Sequence, residues 1–268
     1  MSLGRGLLYV ASAGALALLA RSLLIGAVPL WIAIAAFAGY VAIALLGVLV
    51  PRLEMFADVV WRGPRDTAEV ALTFDDGPHP EHTRRVLELL DEVGAKATFF
   101  VLGSKVEAHP EVAREIVARG HGLGIHGYTH DRLLSLRSPK RIAADLERAL
   151  DAVESATGLR PVLFRPPVGH VSPRTDTAAT RLGLTIVAWS VRGLDGLARA
   201  NAKDVAARVR RGLRPGAIVL LHDAAEQGDR RPAGVDALPS VLEAIHGEGL
   251  RCVGVAKFAD AEWSVGVS

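Results

Sequence analysis

Cysteine is all but missing from this 268-residue chain. Cys252 stands alone, which excludes an intrachain disulfide and any zinc site built from cysteines. It sits in Leu250-Arg251-Cys252-Val253-Gly254-Val255, a run that reads as a buried strand, so it is taken as a core thiol rather than a nucleophile. Net charge is scarce too: 31 Lys and Arg stand against 29 Asp and Glu, a formal +2. A balance so near zero, with no basic run interleaved with aromatics, argues against an electrostatic nucleic-acid binder. One stretch lacks charge altogether, the 28 residues from Leu23 to Val50.

A helix that spans a bilayer needs about 20 such residues, so at least one transmembrane helix is expected. A second apolar run, Gly6 to Ala20, is separated from it by Arg21-Ser22. Two helices can be drawn, roughly 6–26 and 29–50, with Gly26-Ala27-Val28-Pro29 as the connection. The alternative is one signal-anchor helix preceded by an interfacial segment. The apolar block is too long for the core of a cleaved signal peptide, and no clean Ala-x-Ala site follows it. Arg5, Arg21, Arg52 and Arg62 nearly balance, so orientation is weakly specified.

Pro51 ends this block, and the pattern from about residue 66 changes to short apolar runs alternating with amphipathic helices. Strands are expected at Val70–Phe74, Ala97–Leu102, Gly122–Ile125, Val162–Phe164, Thr185–Ala188, Ala217–Leu221 and Arg251–Val255. Between them lie helices at Pro80–Val93 (with Val86, Leu87, Leu89, Leu90 and Val93 inward), Pro110–Arg119, Pro139–Thr157, 173–182, 203–212 and 234–247. Alternation of this kind implies an α/β fold with a parallel sheet, here a distorted (β/α)7 TIM-like barrel. The expected division is a membrane anchor of one or two transmembrane helices over 1–52, a connector over 53–65, the α/β domain over 66–258 and a C-terminal tail over 259–268.

In such barrels chemistry sits at the C-terminal ends of the strands, and ionisable residues end five of the seven. Asp75 and Asp76 follow the first; side chains of adjacent residues leave a strand on opposite sides, so the pair either divides two tasks or, with Gly77-Pro78, forms an ordinary turn. His126 and His130 follow the third, Arg165 to His170 the fourth, Trp189 to Asp195 the fifth, and His222-Asp223 the sixth. The remaining histidines (His79, His82, His109, His121 and His246) are read as surface residues, His170 as a possible groove residue and Asp223 as a turn or capping residue.

Jointly these motifs resemble the polysaccharide deacetylase family, the NodB-homology enzymes of carbohydrate esterase family 4, over roughly residues 66–258. Thr73-Phe74-Asp75-Asp76-Gly77-Pro78 is complete. His126-x-x-x-His130 matches with Gly127 where Ser or Thr is usual, and Arg165-Pro166-Pro167-Val168-Gly169 matches with Val168 where Tyr is common. Leu220-Leu221-His222 matches the last motif. Asp195 is kept, but Gly196 stands where the family often has a Trp that walls the groove, and Arg192 replaces an acidic or small residue.

The resemblance implies a divalent metal held by Asp76, His126 and His130, a donor set with positions left open as in catalytic zinc sites. Zn2+ is the first expectation, with Co2+, Ni2+ or Fe2+ also suited to the donors. It further implies Asp75 as general base, Arg165 as its partner, His222 as general acid, Asp195 as the residue orienting His222, and Val168 with Pro167 at the oxyanion and substrate position. The expected activity is hydrolysis of the N-acetyl amide of a sugar in an envelope polysaccharide or peptidoglycan, by a membrane-anchored enzyme whose catalytic domain is extracytoplasmic. The alternatives are a deacetylase or deformylase of a lipid-linked amino sugar, and a non-catalytic carbohydrate-binding relative. An Fe(II) oxygenase with the same donor set is disfavoured, because it needs no second aspartate and belongs on an all-β fold.

Overall fold

The computed structural model describes residues 1–259, so all but the first residue of the expected tail lies outside the described residues. Two apolar runs give two helices, α1 (Leu3–Leu24), with Arg5 and Arg21 near its ends, and α2 (Leu30–Leu49), without a charge. Ser2 caps α1 by accepting the Arg5 amide hydrogen, and Pro29 stands just before α2. The helices form an antiparallel hairpin, with Ser12 Oγ 3.4 Å from Tyr40 Oη and Gly26, at φ +139°, in the turn. Both are long and apolar enough to cross a membrane, and almost none of either is buried against the protein.

The hairpin is fastened to the rest of the chain at its open end. Gly4 lies against Leu53, and Gly47 against Met55 and Phe56, so closely that a Cβ at either position would clash. Ser2 Oγ donates to the Glu54 carbonyl at 2.9 Å, Arg5 pairs with Asp58 at 2.8 Å, and the Val171 amide donates to the Val48 carbonyl at 3.1 Å.

The strands that follow are β1 (Val59–Val60), β2 (Glu69–Asp75), β3 (Thr98–Val101), β4 (Gly122–Ile125), β5 (Leu163–Phe164), β6 (Thr185–Val187), β7 (Val191–Arg192), β8 (Ile218–His222) and β9 (Arg251–Val253). Between them run α3 (His82–Glu92), α4 (Gly103–Ala108), α5 (Pro110–Ala118), α6 (Pro139–Thr157), α7 (Pro173–Arg181), α8 (Ala202–Gly212) and α9 (Ala233–Gly247). All strand pairings are parallel, in the order β1-β6-β5-β4-β3-β2-β8-β7, with β9 beside the start of β2. The sheet curls into a distorted half-barrel and, among the described residues, no pairing joins β1 to β7. Every residue of β2 is buried, which explains why its middle is apolar on both faces instead of alternating.

The seven expected strands are present within two residues. The two that were not expected, β1 and β7, are two-residue segments at the sheet edges, too short to show an alternating pattern. β1 makes the connector 53–65 part of the sheet. α4 was also missed, since six residues hold too few turns for a periodic signal. Helix boundaries follow their caps: α6 starts behind Ser138 with Pro139 in its first turn and stops at Gly158, which is left-handed. α3 stops at Glu92, so Val93, expected inward, is instead 60% exposed.

Leu72, fully buried in β2, tests the packing. Leu72→Ala should cost about 2–5 kcal/mol, read as a lower urea midpoint of the full chain in detergent.

Candidate active site and metal centre

β2 delivers two carboxylates to the C-terminal face and separates them by backbone conformation. Asp75 is still in the strand, whereas Asp76 takes φ +72°. Asp76 Oδ1 then lies 3.6 Å from His126 Nε2 and 3.5 Å from His130 Nε2. The imidazoles come from the loop after β4, where Gly127 at φ +86° and His130 at φ +59° bend the chain so that both rings face inward. All three residues are buried, and one ligand atom from each lies within 4.8 Å of the others.

The donors fit a cation. Asp76 Oδ1 is buried without a hydrogen-bond partner in the protein, a costly state for a carboxylate oxygen. His126 Nδ1 lies 2.7 Å from the Arg165 carbonyl; donating there, the ring leaves its Nε2 lone pair facing Asp76. Burial holds the His126 pKa below the ordinary histidine value, more than Asp75 and Asp76 raise it, favouring the neutral ring a metal requires. His130 Nδ1 lies 3.1 Å from Glu226 Oε1, although not in hydrogen-bond alignment, and Glu226 is itself held by Arg132 through two hydrogen bonds of 2.9 Å to Arg132 Nε.

Asp75 points to a different partner. Arg165, with no exposed surface, donates from Nη1 to Asp75 Oδ1 at 2.6 Å and to Thr73 Oγ1 at 2.8 Å. Its Nη2 donates to the Ala188 carbonyl at 3.1 Å, and the Phe100 ring lies 4.1 Å from its Cζ. This leaves Asp75 Oδ2 on the cleft side, 3.9 Å from His126 Nε2.

On the facing side, Asp195 is completely buried and grips His222 twice. Its Oδ1 lies 2.9 Å from His222 Nδ1, and its Oδ2 accepts the His222 amide hydrogen at 2.8 Å. Burial alone would lower the His222 pKa; the charge and hydrogen bond of Asp195, with Asp76 and Asp75 behind, outweigh it and bring it up to about 9. Nε2 is left pointing to the cleft.

These residues surround a cleft of about 500 Å3. Asp75, Asp76, His126, His130, His222 and Val168 line it, while Arg165 and Asp195 stand directly behind Asp75 and His222. Among the described residues, four of the five non-glycine residues with positive φ, Asp76, His130, Val168 and Leu194, are on its wall. Such backbone costs about 1–3 kcal/mol each and concentrates at functional sites. Pro167, expected beside Val168 at the substrate position, is buried and does not line the cleft; the turn that lifts Val168 out turns Pro167 under. His170 is likewise outside the lining. Gly196 is on the wall, but the groove is not without an indole, because Trp189 lines it and packs on Gly169.

Two histidines read as surface residues are buried. His121 accepts the Ala97 amide hydrogen at 3.3 Å and meets the edge of Phe99, and burial lowers its pKa to about 4. His82 stacks on His79 at 3.9 Å. Residues that no motif marked also shape the site. Lys105 Nζ donates to the carbonyls of Asp76 at 2.7 Å and Ala225 at 2.6 Å. Asp223, expected as a turn or capping residue, is instead a buried carboxylate that accepts from Thr83 Oγ1 and packs on Gly77, and burial raises its pKa to about 6. Glu226, Lys105 and Thr83 carry no sequence signal, since each acts through a contact made only by the fold.

A curled parallel sheet that brings two imidazoles and one carboxylate together, between an Asp–Arg pair and an Asp–His pair, defines a metal-dependent hydrolase. Residues 62–187 match the family described as polysaccharide deacetylase. A peptidoglycan-N-acetylglucosamine deacetylase of Bacillus cereus is 32% identical over 207 residues, 77% of this chain and 95% of the relative. A chitooligosaccharide deacetylase of Bradyrhizobium is 39% identical over 166 residues, 62% of this chain and 75% of the relative. Among solved structures, a family pseudoenzyme from Bacillus anthracis superposes with a TM-score of 0.69 at 27% identity, covering 78% of this chain and 72% of the other. The chain belongs to the polysaccharide deacetylase family.

Two outcomes check the site. Asp76→Ala and His126→Ala should each abolish bound metal, measured by elemental analysis of the purified protein; full metal content in both would dismiss the donor set. The His222 pKa lies above the ordinary 6.5, so its pairing stabilises the metal-free fold fully below about pH 6.5 and is lost as pH rises through about 9. Asp195→Asn should lower the His222 titration, followed by NMR in chelated protein, from its native value; an unchanged titration would remove Asp195 as the cause.

Proposed function

We propose that the cleft hydrolyses the N-acetyl amide of an N-acetylated sugar, water adding to the carbonyl carbon and the C–N bond breaking to give acetate and a free amine. The observation that carries this reading is the divided pair at the end of β2, with Asp75 on Arg165 and Asp76 facing two imidazoles. Zn2+ is the ion we assign to Asp76, His126 and His130, a donor set that Co2+, Ni2+ or Fe2+ also satisfies. A divalent ion supplies Lewis acidity there, easing the loss of a proton from water and polarising the amide carbonyl.

Asp75 takes the water's proton on Oδ2, while Arg165 holds Oδ1 and orients the carboxylate. His222, charged through Asp195, protonates the leaving nitrogen from Nε2. The Val168 amide supports the developing oxyanion. Residues 66–258 constitute the catalytic domain in this reading, with 1–52 as the anchor. The Bacillus anthracis pseudoenzyme makes clear that this fold does not guarantee turnover; retention of Asp75, Asp76, His126, His130, Arg165, Asp195 and His222 favours an active enzyme over a binding protein.

An envelope polysaccharide or peptidoglycan suits a tethered deacetylase, and for that substrate the domain stands outside the membrane. The arginines support the opposite orientation: the hairpin gathers Arg5 and Arg52 at the domain end and leaves Arg21 at the tip, so the positive-inside bias favours a cytoplasmic domain. Labelling of an introduced cysteine in intact and in permeabilised cells separates the two.

Acetate release from metal-loaded full-length protein tests the activity. Asp75→Asn should keep the metal and lose about 10²–10⁴-fold in kcat; an active variant would remove Asp75 as the base.

A further inference from the structure

The cleft and the attachment of the membrane hairpin share one face of the domain. The Val171 amide, bonded to the Val48 carbonyl of α2, is three residues beyond Val168 on the cleft wall. Three residues span at most about 11 Å, so the cleft lies within that reach of the hairpin's end. α2 has 20 residues, about 30 Å of helix, which matches the hydrocarbon thickness of a bilayer. Val48, in its last turn, therefore falls at the boundary between hydrocarbon and headgroups. Clamped by Arg5–Asp58, Ser2–Glu54 and the close contacts of Gly4 and Gly47, the domain is held against the hairpin rather than hung from a loose linker.

The exposed side chains agree with this placement. Outside the hairpin, the exposed large apolar residues among the described residues are Val93, Leu133, Leu136, Val168 and Leu197. All but Val93 belong to loops on the cleft face, following β4, β5 and β7. Leu136 is 63% and Leu197 58% exposed. The loop of Leu133 and Leu136 is tied to the hairpin side, since Ser172 Oγ donates to the Ser135 carbonyl at 2.7 Å and Arg174 Nη1 to the Leu136 carbonyl at 2.9 Å. Exposed apolar side chains thus stand on loops that adjoin both the end of α2 and the rim of the cleft. Arg192 and Arg230 also line the mouth, exposed and, among the described residues, in no ion pair; Arg230 Nη2 donates to the Gly196 carbonyl at 2.6 Å and Arg192 lies over the Trp189 ring.

We infer that the cleft opens onto the bilayer leaflet entered by α1 and α2, and that its substrate is an N-acetylated amino sugar carried on a membrane lipid through phosphate. This rests on the deacetylase reading and on a membrane-inserted hairpin. Leu133, Leu136 and Leu197 settle into the headgroup layer, and Arg192 and Arg230 meet the phosphate that joins sugar to lipid. A polymer tens of ångströms from the membrane would not reach a mouth that faces the bilayer.

Depth measurement tests the orientation without relying on turnover. Full-length protein in nanodiscs, in a Cys252→Ala background, carries a fluorophore at Leu136→Cys, Leu197→Cys or, at the end of α3, Val93→Cys. Spin-labelled lipid should quench the first two at least twofold and leave the third unchanged; equal quenching at all three overturns the proposal. In the second arm, acetate release from N-acetylglucosamine diphospho-polyprenol in the same nanodiscs is compared with release from N-acetylchitotetraose. The lipid substrate should show at least tenfold higher kcat/KM, and the double variant Leu133→Ser, Leu136→Ser should lose that advantage without slower turnover of the soluble sugar. Equal efficiency on both substrates overturns the substrate assignment. No acetate from either, with quenching as expected, overturns the deacetylase reading and the substrate with it, and upholds the membrane-facing mouth.

Discussion

A guanidinium without access to water has to be satisfied from inside the protein, and the site is arranged around that requirement at Arg165. Unpaired, a buried charge would destabilise the fold by several kcal/mol. Here Nη1 is shared between Asp75 and Thr73 of β2, Nη2 reaches the carbonyl of Ala188 just beyond β6, and Phe100 of β3 covers the plane. Thr73 in turn donates its own hydroxyl proton to the Val219 carbonyl of β8 at 2.7 Å. One side chain thereby fixes the relative positions of four strand ends. The same contacts that make the cation tolerable hold Asp75 in place and leave one of its oxygens for chemistry.

Around this fixed point the backbone is bent. Asp76, His130, Val168 and Leu194 adopt left-handed conformations that persist only where the surroundings over-determine them. Lys105 is one such determinant. By bridging the carbonyls of Asp76 and Ala225, it ties the loop of the metal-facing carboxylate to the loop that follows His222. The two halves of the site therefore do not move independently.

Much of this was legible beforehand. The strand-ending carboxylates, the histidine pair, Arg165, Asp195 and His222 stand in short contiguous motifs, and contiguity survives in a sequence. β2, α6 and the hairpin have strong apolar patterns or clear caps, and they lie where the patterns put them. What escaped has a common physical cause. Glu226, Lys105 and Thr83 act across long sequence separations, β1 and β7 are too short to be periodic, and Pro167 was assigned with Val168 although a single turn sends them to opposite sides. The groove wall shows the same limit: Gly196 announced a missing indole, while Trp189, seven residues earlier, supplies one from another strand end.

The seam between hairpin and domain makes the division of the chain less clean than its composition suggests. Met55 and Ala57 are buried at 4% and 1% exposure, Met55 beneath Gly47, and the Val171 amide spends its hydrogen bond on α2. A chain cut at Pro51 would present Met55 and the Val171 amide to water, while Ala57 would stay in the core of the domain. Such a fragment would set a newly exposed methionine and an unpaired amide close to its own active site, so the boundary between hairpin and domain is a packed seam and not a severable joint.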